Sequence, residues 1–345
     1  MLGVRTLREI MEQPEAWASA IRSFNVAAPE VDRLFHDRKP DEVIFTGCGS
    51  SYYLSLTAAA AMQQVSGLRA KAVPASEILQ FPASVFVPGT RPVLVVSSRS
   101  GTTTETLRAL EVARRRGIAT LSLTCESRSS LARHADLCIL SPKGHEESVV
   151  MTKSFSSLLL LGLLLAANHA ESVTLRGEIR RLPTLGKRMV KVALTLTEGL
   201  GAGASRFVFL GGGPAHGIAW EAMLKMTEMA QRTAVAYHPL EFRHGPIGAA
   251  GPETVVVLFG SRTGARLEAD LARDLRRHGA TVVSLRDEWR GVADVDVDVA
   301  LGVRLSDEAR CLLYLPFAQT LAYHRAVGVG LDPDHPRYLS SVVRL

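Results

Sequence analysis

A hydroxyl-rich turn in the first half of the sequence has the composition of a phosphate site. Seven of the ten residues from Ser97 to Thr106 are serine or threonine. An apolar run before the turn predicts a strand, and the spacing of Leu107, Leu110 and Val112 after it predicts a helix. Backbone N–H groups at a helix start bind anions, and each hydroxyl can donate one further hydrogen bond. Helix capping would use only one or two of these hydroxyls, so the turn predicts a phosphate site.

A second turn, between Gly47 and Ser51, follows an earlier apolar run and adds polar groups. Its sequence is Gly47-Cys48-Gly49-Ser50-Ser51. In a parallel sheet, the turns that follow neighbouring strands lie at one edge, and ligands bind there. A Gly-Cys-Gly sequence alone is weak evidence for a ligand, but beside the Ser/Thr turn it supports one shared site.

Acidic and basic residues in the second half are spaced so that a helix would bring them together. Glu221, Lys225 and Glu228 stand at positions i, i+4 and i+7, on one helical face. Taken alone, this pattern is typical of an exposed ion pair, although a carboxylate held within reach of substrate can also act as a base. His244 adds an imidazole, which suits proton shuttling near neutral pH, but a lone histidine is more often structural.

One strand-and-turn unit occurs twice in the chain. The segment 43–49 reappears at 207–213, an offset of 164 residues, and Ser98–Gly101 reappears as Ser261–Gly264, an offset of 163. A period this long indicates a duplicated domain. The first copy continues with three threonines and the second with Ala-Arg-Leu. We therefore expect the ligand in the first half.

Short β-branched runs alternate with helix-length segments along the whole chain. Strands of this kind are typical of a parallel sheet covered on both faces by helices. We predict strands at 43–46, 70–74, 93–97, 120–124 and 137–140, and again at 207–210, 233–237, 254–259, 281–285 and 299–303. The predicted fold class is α/β, with two tandem domains that are each a doubly wound parallel sheet flanked by helices.

The domain limits follow from where the apolar pattern stops. Glycine and proline at Gly177 and Pro183 interrupt it, which predicts a boundary between 172 and 190. We therefore predict a helical segment over 1–28, with a helix at 7–25, a first domain over 29–183 and a second over 184–345.

Composition excludes several classes of protein. The net charge of +6 is spread over 345 residues, and no basic run is interleaved with aromatic residues, so nucleic acid is not expected. The most apolar run, 158–167, is too short for a membrane span and predicts a buried helix. The four cysteines have no metal-binding spacing. We expect a cytoplasmic protein with no secretory signal, no membrane segment, no metal and no cofactor.

These motifs together resemble the sugar isomerase (SIS) domain family, and most closely the double-SIS isomerase half of glucosamine-6-phosphate synthase. The resemblance covers nearly the whole chain. In that family a Ser-x-Ser-Gly-x-Thr turn binds the sugar phosphate, a Cys-Gly-Thr-Ser turn contacts the substrate, and a Ser-Thr-Lys-Thr-Phe sequence opens a helix, here Met151 to Phe155. The implied substrate-binding residues are Cys48, Gly49, Ser50, Ser51, Ser98, Arg99 (at the family's glutamine), Ser100, Thr103, Val149 and Ser341.

The resemblance also assigns catalytic roles. It implies that Glu228 moves a proton between C1 and C2 of an open-chain sugar, with Lys225 and Glu221 beside it. It implies that Lys225 assists this proton transfer or holds developing negative charge. It implies that His244 opens the sugar ring from the neighbouring subunit, which would make the protein a homodimer with shared active sites.

Two departures from the family limit what the resemblance implies. The synthase carries an N-terminal glutaminase domain, which we do not find in this sequence, so ammonia drawn from glutamine is not expected. The family's C-terminal lysine, which forms an imine with the keto-sugar, is replaced by Ser341. A serine cannot form an imine, but neither the base nor the ring-opening histidine is affected.

Three functions are compatible with the sequence. The first is a deaminase and isomerase of an amino-sugar phosphate such as glucosamine 6-phosphate, giving a ketose phosphate and free ammonia. The second is an aldose–ketose isomerase or deglycase of another modified sugar phosphate. The third is a phosphosugar-binding regulator without catalysis, which the set of Glu221, Lys225, Glu228 and His244 disfavours because binding alone needs only the first-half turns.

Overall fold

The computed structural model describes residues 2–287 and 295–340, and these form two compact units. The N-terminal unit comprises Glu12–Glu147 and Met151–Pro183. The C-terminal unit comprises residues 2–11, Ser148–Val150 and Thr184–Leu339. Each unit contains its own parallel sheet.

Five parallel strands form the sheet of the N-terminal unit, in the order β2-β1-β3-β4-β5. The strands are β1 (Glu42–Gly47), β2 (Arg69–Pro74), β3 (Pro92–Ser98), β4 (Ala119–Thr124) and β5 (Leu137–Leu140). Strand β1 lies between β2 and β3, with Thr46 beside Val96. The carboxyl ends of β1 and β3 therefore meet at one edge of the sheet, as the two polar turns require.

The sheet of the C-terminal unit has the same strand order. Its strands are β6 (Arg206–Gly211), β7 (Thr233–Tyr237), β8 (Thr254–Phe259), β9 (Thr281–Arg286) and β10 (Val297–Ala300), arranged β10-β9-β8-β6-β7. Strand β6 takes the place of β1 and β8 the place of β3. The duplicated parallel α/β architecture predicted from the sequence is confirmed.

Twelve α-helices surround the sheets in the part of the chain that the structure describes. They are α1 (Val4–Met11), α2 (Gln13–Arg38), α3 (Ser50–Ser66), α4 (Ala75–Gln80), α5 (Pro82–Val85), α6 (Thr104–Arg115), α7 (Ser130–His134), α8 (Lys153–His169), α9 (Val173–Thr197), α10 (Ala215–Ala230), α11 (Ala265–Arg277) and α12 (Asp307–Gly328). The predicted run at 158–167 is the buried centre of α8, as expected. Helix α8 packs closely on α3 because Gly162 has no side chain: a Cβ atom there would lie 2.8 Å from the Cβ atom of Ala58.

Two sequence predictions differ from the structure, and the domain boundary between 172 and 190 stays a prediction. The helix predicted at 7–25 is two helices, and Pro14 lies in the first turn of the second, where its missing N–H costs no hydrogen bond. The interrupted pattern near Gly177 lies within the continuous helix α9, which tolerates Pro183. Strand β10 begins and ends earlier than the predicted 299–303, because alternating aspartates make it an edge strand whose Asp298 pairs with Arg286.

None of the helices in the described ranges combines the length and the apolar composition that a membrane span needs. No group of His, Cys, Asp and Glu side chains there is arranged to hold a metal ion.

Candidate active site

The hydroxyl-rich turn joins β3 to α6 and leaves the start of that helix uncapped by side chains. Ser98 is buried, and its Oγ accepts a hydrogen bond of 3.1 Å from the Gly101 N–H. Thr103 is the N-cap residue of α6, yet its side chain makes no capping hydrogen bond. Ordinary capping therefore does not explain the hydroxyl at Thr103, which remains available to an anion.

The second turn, between β1 and α3, brings a glycine and a protonated thiol to the same edge of the sheet. Gly49 adopts φ 54° and ψ −125°, a conformation that few residues other than glycine reach. Ser50 and Ser51 are buried in the first turn of α3. Burial, together with the nearby Glu105 carboxylate, raises the pKa of Cys48 to about 12. The thiol is therefore neutral near pH 7 and can donate a hydrogen bond rather than act as a nucleophile.

Arg99, in the middle of the hydroxyl-rich turn, is committed to a buried ion pair. Its Nη1 lies 3.5 Å from Oε2 of Glu146, and the two side chains are 10% and 0% exposed. Glu146 also accepts 2.6 Å hydrogen bonds from the N–H and the hydroxyl of Thr152, and one from the Ser154 hydroxyl. This carboxylate ties the turn to the start of α8. Phosphate binding by the Arg99 side chain stays a prediction.

In the second copy of the turn, a carboxylate of the chain itself bonds the first serine. Glu268 accepts hydrogen bonds from the N–H and the hydroxyl of Ser261, at 2.9 and 2.7 Å. Burial raises the pKa of Glu268, and the bonds from Ser261 oppose this shift. The same repeat offset places Glu105 at the equivalent position of the first copy, and Glu105 makes no such bond in the described part of the chain.

The difference between the two turns gives a direct test of where phosphate binds. Ser98→Ala combined with Thr103→Ala removes two hydroxyl donors from the first turn. We expect affinity for a sugar phosphate to fall, because each hydrogen bond lost to a charged group weakens binding by roughly 1.5–3 kcal/mol. Isothermal titration calorimetry with glucosamine 6-phosphate measures the loss.

The matched control is Ser261→Ala combined with Thr263→Ala, the same chemical change in the second copy. We expect this variant to bind with unchanged affinity, because Glu268 already accepts the hydrogen bonds of Ser261. If both pairs of substitutions weakened binding equally, the assignment of one phosphate site per chain would be wrong.

The acidic and basic residues of α10 form a buried triad in the C-terminal unit. Lys225 Nζ lies 3.3 Å from Glu221 Oε1 and 2.5 Å from Glu228 Oε2. The side chains of Lys225 and Glu221 are fully buried, whereas that of Glu228 is 18% exposed. An exposed ion pair on an amphipathic helix is thus excluded. Burial alone would lower the pKa of Lys225, but the two carboxylates outweigh it and the pKa is raised.

A cleft of 610 Å³ opens beside Glu228 at the end of α10. It is lined by Leu224, Thr227, Glu228, Gln231, Arg232, Thr233, Arg337, Tyr338 and Leu339. The lining includes part of the C-terminal segment that precedes Ser341, and Ser341 itself lies outside the described residues. Of the triad, only Glu228 lines this cleft.

His244 lies on an exposed turn of the C-terminal unit. Its backbone N–H donates to the Glu241 carbonyl at 3.0 Å, and the neighbouring Arg243 forms an ion pair of 2.7 Å with Asp274. No hydrogen bond or ion pair within residues 2–287 and 295–340 joins the imidazole to Glu228. Val149 lies in the short segment Ser148–Val150 of the same unit.

Two carboxylates that bond residues of these turns were not predicted from the sequence. They are Glu146, which pairs with Arg99, and Glu268, which bonds Ser261. The repeat offset could have identified Glu268, because it aligns this residue with Glu105. No comparable signal identifies Glu146, whose partners come from the separate segments around Arg99 and Thr152.

Comparison with known proteins identifies relatives over almost the entire chain. The SIS domain family model matches residues 38–168 and 202–324. The chain is 31% identical to glutamine–fructose-6-phosphate aminotransferase (isomerizing) of Pseudomonas putida over 98% of its own length and 58% of that protein. It therefore spans little more than half the length of the aminotransferases it matches.

Two further relatives correspond to the chain over nearly their full length. A Streptomyces coelicolor protein provisionally named D-galactosamine-6-phosphate deaminase AgaS is 27% identical over 97% of this chain and 91% of that protein. The crystal structure of glucosamine-6-phosphate deaminase from Thermotoga maritima superposes with a TM-score of 0.77 and 32% identity, covering 95% of this chain and all of that one.

Proposed function

The chain belongs to the SIS domain family, and on this basis we propose that it is an amino-sugar phosphate deaminase and isomerase that converts a substrate such as glucosamine 6-phosphate into a ketose phosphate and ammonia. The buried triad of Glu221, Lys225 and Glu228 carries the proposal. Of its three members, only Glu228 lines a cleft. A relative of known structure that corresponds over its full length bears the name of this activity.

The geometry of the triad suits a base that works near neutral pH. The Lys225 ammonium keeps its proton because the two carboxylates raise its pKa. Lys225 therefore cannot act as a neutral nucleophile, and of the two roles implied by the resemblance it fits the electrostatic one. The Lys225 ammonium, 2.5 Å away, holds the Glu228 carboxylate in position to accept a proton. The same charge stabilises the negative charge that develops when a carbon–hydrogen bond breaks.

The proposed reaction moves a proton from one carbon of the sugar to its neighbour. Glu228 removes the C2 proton of the open-chain amino aldose and returns a proton to C1, while the C1 carbonyl oxygen gains a proton and the C2 amine loses one. The product is a ketimine at C2, which water hydrolyses to the ketose and ammonia. The phosphate of the substrate is held by the Ser98 and Thr103 hydroxyls and by the backbone N–H groups at the start of α6. No step requires an imine with the enzyme.

A substrate panel tests the proposal and separates the alternatives. The protein is incubated with 6-phosphates of glucosamine, galactosamine, glucose and galactose, and ammonia and ketose are assayed separately. We expect ammonia and ketose in equal amounts from an amino-sugar phosphate. Ketose without ammonia from a neutral sugar phosphate would favour an aldose–ketose isomerase. Binding without turnover of any sugar phosphate would favour the regulator.

We further propose that the protein is a homodimer whose His244 completes the active site of the partner subunit. The exposed position of the imidazole supports this proposal, as does the absence of a bond to Glu228 within the described part of one chain. In this arrangement His244 opens the sugar ring and passes its proton between ring oxygen and solvent.

Mixing two inactive variants tests the shared site. We expect His244→Ala and Glu228→Gln homodimers to be inactive on cyclic substrate. After subunit exchange, one of the two sites in each heterodimer contains both wild-type residues, so activity should return toward one quarter of the wild-type level, following the statistical share of such sites. Exchange is followed independently with subunits that carry two different tags. If activity does not return although exchange is complete, His244 does not act across the interface.

A further inference from the structure

Two arginines of the C-terminal unit have no acidic partner in the part of the chain that the structure describes: Arg325 is buried, and Arg232 is half-buried. Arg232 follows the last turn of α10, and Arg325 lies near the end of α12, which packs against α10. The Nε atoms of both side chains are buried and make no hydrogen bond. Arg325 is only 6% exposed. These two residues did not figure in any sequence motif.

An arrangement of this kind is unfavourable unless something compensates it. A guanidinium group remains charged in proteins, and a buried N–H donor of such a group that has no acceptor is costly. The two groups are also close enough to repel each other: burial and the charge of Arg232 lower the pKa of Arg325.

Arg310, another buried arginine of the same unit, is paired with two aspartates. Arg310 Nη2 lies 2.5 Å from Asp307 and 3.4 Å from Asp287. Arg232 and Arg325 have no equivalent carboxylate among the described residues. The lack of an acidic partner among the described residues is therefore particular to Arg232 and Arg325 and does not extend to Arg310.

Arg232 is open to ligands, because it lines the 610 Å³ cleft beside Glu228, whereas Arg325 is not among the residues that line this cleft. Arg337 lines the same cleft from the C-terminal segment, and Thr227 and Gln231 add polar groups to its wall. The negative charge of Glu228 is offset by Lys225 at 2.5 Å. The positive charge of Arg232 and Arg337 is therefore left uncompensated by the described residues at this end of the cleft. Guanidinium groups bind the oxygen atoms of phosphate and carboxylate through paired hydrogen bonds.

We propose that Arg232 binds a phosphate or carboxylate group at the cleft beside Glu228, and that the buried positive charge of Arg325 strengthens this anion-binding site. This site is separate from the hydroxyl-rich turn, which belongs to the other unit. The anion is either free in solution or a second acidic group on the sugar phosphate that the enzyme uses. The binding test measures phosphate affinity and needs no turnover. A negative result would therefore leave the proposed function standing, and a failure of the proposed function would leave the binding result standing.

Inorganic phosphate is the probe, and the hydroxyl-rich turn must first be removed from the measurement. In the Ser98→Ala, Thr103→Ala background, phosphate is titrated at constant ionic strength by calorimetry, and thermal stabilisation is recorded in parallel. We expect one remaining site per chain. Adding Arg232→Met should weaken it by roughly 10- to 100-fold, since charge-assisted hydrogen bonds are the strong ones, and adding Arg325→Met should also weaken it because a nearby positive charge is lost.

Arg266→Met is the matched control, because it removes the same charge from an exposed position on α11 of the same unit. We expect this variant to bind phosphate like its background. Arg325→Met removes an unpaired buried charge, so we expect it to fold at least as stably as its background when phosphate is absent. The proposal is overturned if no phosphate site remains in the background protein, or if Arg266→Met weakens the site as much as Arg232→Met does.

Kinetics on the otherwise wild-type enzyme distinguish the two sources of the anion. If the group belongs to the substrate, Arg232→Met should raise KM for a sugar phosphate with an added carboxylate and leave KM for a neutral sugar monophosphate unchanged. If the anion is free, phosphate should alter kcat of the wild type without competing with substrate, and Arg232→Met should abolish that effect. Identical kinetics of the variant and the wild type under all these conditions would contradict both forms of the proposal.

Discussion

Replacing Glu228 by glutamine is expected to lower the turnover rate by roughly 10²–10⁴-fold, the usual contribution of a general base. Glutamine has nearly the same shape as glutamate but cannot accept the C2 proton. The amide can still accept a hydrogen bond from the Lys225 ammonium, which lies 2.5 Å from the carboxylate. We therefore expect phosphosugar affinity to stay within a few-fold of wild type. Single-turnover measurements with glucosamine 6-phosphate, with ketose and ammonia assayed separately, give the rate.

Exchange of the substrate proton with solvent gives a second readout of the same variant. If Glu228 is the base, the variant should also lose the exchange of C2 hydrogen for deuterium in heavy water, because exchange requires the same proton abstraction. Glu111→Gln is the matched control, since Glu111 pairs with Arg115 in an exposed i, i+4 pair on α6. We expect this control to keep the wild-type rate. Wild-type turnover by Glu228→Gln would contradict the proton-transfer mechanism and favour a binding protein.

The sequence was sufficient to predict the fold because the strands are short, apolar and repeated. All ten predicted strands are present, and nine of them lie within two residues of their predicted limits. The exception, β10, is an edge strand in which aspartate alternates with valine, so its hydrophobic signal is weak. Helix limits were less predictable, because Pro14 starts one helix whereas Pro183 is tolerated inside another.

The candidate site was predictable where residue spacing alone decides the geometry. A helix places Glu221, Lys225 and Glu228 on one face whatever surrounds it. Whether that face is buried depends on how α12 packs against α10, and no pattern near Lys225 encodes this. The Glu146 partner of Arg99 likewise comes from a distant segment, so this ion pair was visible only in the folded chain.

The same limit explains why Arg232 and Arg325 could not be found in advance. They are separated by more than ninety positions, and each alone reads as an ordinary arginine at a helix end, where a positive charge is favourable. Only the fold shows that their Nε atoms are buried without a hydrogen bond. What distinguishes the two arginines is that no carboxylate among the described residues pairs with them. The sequence composition cannot reveal which arginines lack such a partner.

Replacing Lys225 by methionine is expected to destabilise the protein by roughly 3–5 kcal/mol, the usual effect of removing one partner from a buried ion pair. Methionine fills the space of the lysine stem, so packing should change little. Glu221, however, is fully buried, and its carboxylate would lose a counter-charge 3.3 Å away. Urea denaturation at neutral pH measures the loss. Lys191→Met, which removes an exposed lysine from α9, should change stability by less than about 0.5 kcal/mol.

The pH dependence should distinguish lost charge from lost packing in the Lys225 variant. In the wild type the raised pKa of Lys225 means that its contribution to stability is complete below the unfolded-state value and is lost only as pH rises through the higher folded-state value. The wild type should therefore lose this contribution only at strongly alkaline pH. The deficit of Lys225→Met should instead shrink as the pH becomes acidic, because protonation removes the unpaired negative charges. A deficit that does not change with pH would indicate lost packing.

Removing the two carboxylates as well separates stability from catalysis. In the triple variant Glu221→Gln, Lys225→Met, Glu228→Gln, no buried charge of the triad remains unpaired, so most of the stability lost by Lys225→Met should return. Activity should not return, because the base is absent. If the triple variant were as unstable as Lys225→Met, the triad would owe its stability to packing. In that case the electrostatic role proposed for Lys225 would lose its main support.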